Sequence, residues 1–153
     1  MRWALTIIFS LSLFVSAASA DTTGRVIKVL PQYLDTQGRN TVSPSLYERD
    51  AYQLQLLHYP ELRGGLLFNI QWNASYNNAN LKLRVEARGM ARDNNTVKIC
   101  QWDAPVQRHG WFSQWEKLPV STADFKTLGT LTAWRVSLRD GDRQLSEQHS
   151  YLW

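Results

Sequence analysis

A mainly β chain folded as an antiparallel sandwich is what this sequence predicts, and three observations carry the prediction. Apolar and polar residues alternate with period two in several separate stretches, as in Leu66, Phe68, Ile70 and Trp72 against Leu67, Asn69 and Gln71. Turn-forming clusters such as Asp35-Thr36-Gln37-Gly38 and Asp140-Gly141-Asp142 punctuate those stretches. Aromatic residues make up 12% of the 153, enough to fill a core and to exclude disorder for the bulk of the chain.

The first segment reads as an address. Residues 1–20 have the parts of a cleavable signal peptide: Arg2 as the positive start, an apolar stretch from Ala4 to Val15, and small residues at Ala18-Ser19-Ala20 before acidic Asp21. The apolar stretch is shorter than the roughly 20 residues that span a bilayer, which argues against a retained anchor. No Cys follows the cut, so lipid attachment there is not expected. The working chain is then 21–153, one domain in size, delivered to the periplasm or the extracellular space. No later stretch is long and apolar enough for a membrane helix.

The elements of 21–153 follow in order. Arg25 to Leu30 is rich in β-branched residues and is expected to stop at Pro31, with Tyr33 to Asp35 as a continuation before the turn. Ser45-Leu46-Tyr47-Glu48 has capping-box spacing. Tyr47, Ala51, Leu54 and Leu57 or His58 then recur at helical spacing up to Pro60; the stretch also alternates as Tyr52, Leu54, Leu56, but capping and the Pro60 stop favour one short helix with the helical stripe inward. Gly64-Gly65 reads as a turn ahead of the strand Gly65 to Trp72, and Asn73 to Asn80 as the turn after it. Leu81 to Arg88 is the cleanest strand, with Leu81, Leu83, Val85 and Ala87 on one face and Lys82, Arg84, Glu86 and Arg88 on the other. Four charges in a row require water, so that face is outward.

Gly89 to Asn95 is expected as a loop and Thr96 to Trp102 as a strand broken by Asp103-Ala104-Pro105. Trp111 to Leu118 alternates without a clean apolar face. Leu131 to Arg139 places Thr132, Trp134, Val136 and Leu138 inward, with Ala133, Arg135, Ser137 and Arg139 outward. The Asp140-Gly141-Asp142 turn leads to a last strand, Gln144 to Trp153, paired back on it. Six to eight short strands and one helix fit an immunoglobulin-like sandwich, without the Cys–Trp–Cys spacing of antibody domains.

Composition narrows the function classes. The chain carries 17 Lys and Arg against 13 acids, but the cations are interspersed with acids rather than clustered, which argues against a nucleic-acid partner. Cys100 is the single cysteine and cannot form an intrachain disulfide; in its strand-like run it reads as a half-buried thiol without chemistry. His58, His109 and His149 stand in separate segments at no metal-ligand spacing, and no nucleophile or phosphate-loop motif occurs. No cofactor and no metal are therefore expected. Glu48, Asp50 and Glu61, with Arg49 among them, read as a solvated or ion-paired face. Asn73-Ala74-Ser75 and Asn94-Asn95-Thr96 match the glycosylation acceptor pattern and mark surface turns.

The tryptophans are the strongest remaining signal. Trp72 and Trp134 lie on apolar faces and read as core. Trp111 and Trp115 share one side of a poorly amphipathic segment, with Phe112 beside them and Trp102 upstream. Flat exposed aromatics stack on sugar rings and anchor protein interfaces, so Trp102, Trp111, Phe112 and Trp115 are the candidate ligand-binding residues. The expected function is an exported, non-catalytic binding module for a protein or glycan. The alternatives are an outer-membrane β-barrel of about eight strands, which Glu147 on the last strand's lipid side opposes, and a small exported hydrolase built on one of the histidines.

Overall fold

A computed structural model describes residues 23–75, 80–91 and 96–153. The expected leader at 1–20, and Asn94 and Asn95 of the second acceptor pattern, lie outside the described residues. The element order is β1 (Gly24–Asp35), α1 (Leu46–His58), β2 (Arg63–Ala74), β3 (Leu81–Met90), β4 (Val97–Pro105), β5 (Gln114–Val120), α2 (Thr122–Leu128), β6 (Thr130–Asp140) and β7 (Arg143–His149). These make a three-stranded sheet of order β1-β2-β5 and a four-stranded sheet of order β4-β3-β6-β7, antiparallel throughout. The fold is the mainly β sandwich the alternation predicts. The two sheets do not close on each other, so the barrel alternative is not this fold.

The core lies where the period-two faces meet. Leu66, Phe68, Ile70 and Trp72 of β2 face Leu81, Leu83, Val85 and Ala87 of β3, all buried, with Val136 and Leu138 of β6 beside them. Leu118 and Val120 of β5, Val26, Val29 and Tyr33 of β1, and Leu56, Phe125 and Leu128 of the helices complete it. Each such large side chain contributes about 1.5–3 kcal/mol by leaving water. The charged row of β3 faces out as expected, and two of its members are ion-paired: Arg84 grips Asp103 through Nε and a terminal nitrogen, both at 2.8 Å, and Arg135 bonds Glu86 at 2.7 Å.

Several boundaries differ from the sequence reading. β1 runs through Pro31 to Asp35, and β4 runs on to Pro105. Both are edge strands, where half the backbone N–H groups face no neighbour and a proline removes nothing. Gly64 and Gly65 sit inside β2, alongside the end of β1, rather than in a turn; glycine is required at 64 because a Cβ there would lie 2.4 Å from the Asp35 carbonyl. β2 also extends through Asn73 and Ala74, so the first acceptor pattern begins in a strand. β3 likewise takes in Gly89 and Met90, residues expected in a loop.

In β6 a bulge opposite Arg88 and Gly89 shifts the alternation by one residue. Thr132, expected inward, is the extra residue there and is exposed; Ala133 pairs with Arg88 on the outward face as expected, although it is only 2% exposed. β7 ends at His149; Ser150 then bonds back to Trp134, and Trp153 folds under the guanidinium groups of Arg88 and Arg135, 4.2 and 4.9 Å from its ring centre.

The helix α1 forms where capping and Pro60 place it, but with the opposite face inward. Leu56 is 0% exposed and Tyr52 packs against the core, whereas Tyr47, Leu54 and Leu57 of the expected stripe are exposed. Polar anchoring decides the rotation. Gln53 donates to the Tyr33 carbonyl at 2.9 Å and accepts from the Tyr33 N–H at 2.8 Å, and the Tyr52 hydroxyl donates to Asp35 at 2.7 Å. Ser45 is the N-cap residue, yet its side chain makes no capping bond. A second helix, α2, was not expected. Its signals are Ser121, whose Oγ accepts from the Asp124 N–H at 3.1 Å, and Gly129 at φ 73° just past its end.

Candidate functional site

The exposed aromatic residues sit where the chain crosses from β4 to β5. Val106 starts that crossing as a buried anchor, its N–H on the Leu81 carbonyl at 3.0 Å. The Arg108 guanidinium then ties the loop down. It donates to the Ala74 carbonyl, to that of Gly110 at 3.0 Å and to that of Trp111 at 3.5 Å. Gly110 has φ 84°, a left-handed turn that glycine adopts without strain. Beyond it, Ser113 Oγ accepts from the Gln71 amide at 2.8 Å, which fixes the loop to the outer face of the three-stranded sheet.

Three of the four candidate residues are exposed along this crossing and the start of β5. Trp111 is 81% exposed, Phe112 85% and Trp115 50%. Trp115 stands on β5 directly opposite Gln71, on the outer face. It also lines an open groove of about 600 Å³ together with Pro105, Gln107, His109, Gln114 and Glu116. The fourth candidate, Trp102, is placed elsewhere. It points inward from β4, its ring 6.3 Å from that of Phe68, and its indole N–H donates to Asp124 at 3.0 Å. That hydrogen bond, with one from Ser121, holds the Asp124 carboxyl below its ordinary range. Trp102 thus belongs to the wall between β4 and α2.

The three histidines expected as candidates for catalysis lie apart among the described residues. His58 Nδ1 lies 2.8 Å from the Leu54 carbonyl, His149 Nδ1 lies 3.0 Å from that of Ser150, and His109 is on the groove. Among the described residues no three His, Cys, Asp or Glu side chains converge as metal ligands would. Asp50 pairs with Arg49 at 3.1 Å in solvent. Burial pushes the Cys100 thiol up, and nearby Asp124 adds to it, which opposes a nucleophilic role. What this crossing offers chemically is stacking area with hydrogen-bonding side chains at its rim.

The sequence reading gave no role to Gln71 or Lys117. Alternation already put Gln71 outward; that β5 lies beside it, bringing Trp115 and Lys117 to the same face, is a long-range pairing that local patterns do not record. Comparison with family models, with curated proteins and with solved structures found no match for this chain.

Proposed function

We propose that this protein is an exported, non-catalytic β-sandwich module that binds a protein or glycan partner through Trp111, Phe112 and Trp115. One observation carries the reading: three large aromatic side chains are exposed within one short segment whose backbone is held in place by Arg108 and Ser113. Exposed aromatics cost solvation unless a partner covers them, and a pre-ordered loop lowers the entropy cost of doing so. The groove beside Trp115 supplies polar groups that can orient a ligand.

Export rests on the leader-like residues 1–20 and predicts that the protein is recovered outside the cytoplasm on fractionation. No helix among the described residues is long and apolar enough to cross a membrane. The binding reading is tested by glycan-array and pull-down measurements on the protein and on Trp111→Ala, Phe112→Ala and Trp115→Ala. Loss of binding in these variants, with thermal midpoints unchanged, is the expected result. Undiminished binding in all three would remove this segment from the function.

A further inference from the structure

The two outward faces of the sandwich differ in their carboxylates: Asp103, Glu86 and Glu147 lie on the rows of the four-stranded sheet, and none lies on the rows of the three-stranded sheet described below. On the four-stranded sheet, Arg84 and Arg135 are each neutralised by a carboxylate at hydrogen-bond distance. On the three-stranded sheet, strand register places Arg25 and Asn73 in one outward row, Lys28, Gln71 and Trp115 in the next, and Leu30, Asn69 and Lys117 in the third. Those rows hold three cations and no carboxylate. None of the ion pairs formed by the described residues involves Arg25, Lys28 or Lys117, and all three side chains are exposed. The far end of the face is closed, because Gln32 is buried beneath the amides of Asn40 and Asn69. The open part is therefore the end that carries Trp115.

The geometry points to an acidic polysaccharide as the ligand of this face, a deepening that rests on the reading of Trp111, Phe112 and Trp115 as binding residues. A row across three strands spans about 10 Å, and successive outward rows lie about 6.7 Å apart. The face thus offers an extended track rather than a pocket. Trp115 provides a flat apolar platform for the C–H face of a sugar ring. Gln71 spends its amide N–H on Ser113 and presents its carbonyl oxygen to a hydroxyl. Lys28 and Lys117 flank that platform on two rows and meet carboxylates along the chain, with Arg25 one row further on. An acidic protein would also match the charge, and the polyglutamate arm of the test below separates it from a polysaccharide.

The test uses polygalacturonate as the probe, dextran as a neutral polymer and polyglutamate as a polyanion without sugar rings. The expected result is binding to polygalacturonate, weakening steadily as ionic strength rises from about 0.02 to 0.5 M. Trp115→Ala and the double variant Lys28→Ala/Lys117→Ala each weaken it about tenfold or more, and the double variant also flattens the salt dependence. Lys82→Ala, on the other sheet, leaves it unchanged. Equal binding to dextran, lost in Trp115→Ala but insensitive to the lysines, would overturn the acidic ligand while the aromatic segment stands. Equal binding to polyglutamate would overturn the glycan. Absence of binding to polygalacturonate would also overturn the inference, as would indifference to Trp115→Ala; the underlying reading falls with it only when Trp111→Ala and Phe112→Ala are without effect too.

Discussion

The carboxylate of Asp35 accepts four hydrogen bonds at the point where β1 turns back. Oδ1 takes the N–H groups of Gln37 and Arg39 at 2.8 and 2.9 Å, and Oδ2 takes Arg39 Nε at 2.8 Å and the Tyr52 hydroxyl at 2.7 Å. Burial alone would raise its pKa, but these donors outweigh burial and hold the carboxyl below its ordinary range. The same bond from Tyr52, together with burial, pushes the Tyr52 hydroxyl up. Because the folded value lies below the unfolded one, near 3.9, this contribution is fully present above that value and is lost as pH falls toward the folded one. Asp35→Asn is expected to lower stability by about 2–3 kcal/mol at pH 7, since an amide cannot replace all four acceptances. Urea midpoints of variant and parent should converge as pH drops below about 4. A constant gap from pH 7 to pH 2.5 or so would refute the assignment.

Helices and strand edges tell what can be read locally and what cannot. Gln53 of α1 occupies both free backbone groups of Tyr33, so the helix shields part of the edge of β1. Gln53→Ala should cost about 1–2 kcal/mol, because the Tyr33 N–H and C=O, now under the helix, lose their partner. A chevron or thermal midpoint indistinguishable from the parent would contradict this. Gly129 ends α2 at φ 73°, and a Cβ there would lie 2.1 Å from the Met90 carbonyl. Gly129→Ala should therefore cost about 1–3 kcal/mol, more than the cap variant Ser121→Ala at about 1 kcal/mol. Calorimetry showing the reverse order would sink that account.

The same elements explain what the sequence recorded. Alternation in β2 and β3 was legible because both strands are central and their outward positions, Leu67 of β2 apart, are mostly polar. Three features were not legible. The inward face of α1 is chosen by hydrogen bonds to residues 13 to 20 positions upstream, not by its own apolar stripe. The shift at Thr132 comes from a bulge against β3. Trp111 and Trp102 look alike in sequence, and only the placement of Asp124 beside the Trp102 indole separates wall from surface.

At the scale of the whole molecule, the two open sides of the sandwich differ. Along β1 and β7 the sheets are laced together: the Val26 N–H donates to Ser146 Oγ at 2.7 Å, and the Gln148 amide donates to the Ile27 carbonyl at 3.3 Å. On the opposite side, β4 and β5 are the edges, and the groove lined by Pro105, His109 and Trp115 opens between the end of one and the start of the other. β4 has no fully buried residue along its nine positions, whereas its neighbour β3 buries every second one. Local opening costs least where few apolar groups leave the core, so β4 is expected to fray ahead of its neighbour β3 and of the other central strand β2. Native-state hydrogen exchange should show β4 amides losing protection ahead of those in β2 and β3. A ligand seated on Trp111, Phe112 and Trp115 should slow exchange in β5 and the 106–113 loop while leaving β4 nearly unchanged, because those aromatics lie on the β5 side of the groove. Protection of β4 equal to that of β3 in the free protein would mean that this side is closed as firmly as the other, and the difference between the two sides would lose its physical basis.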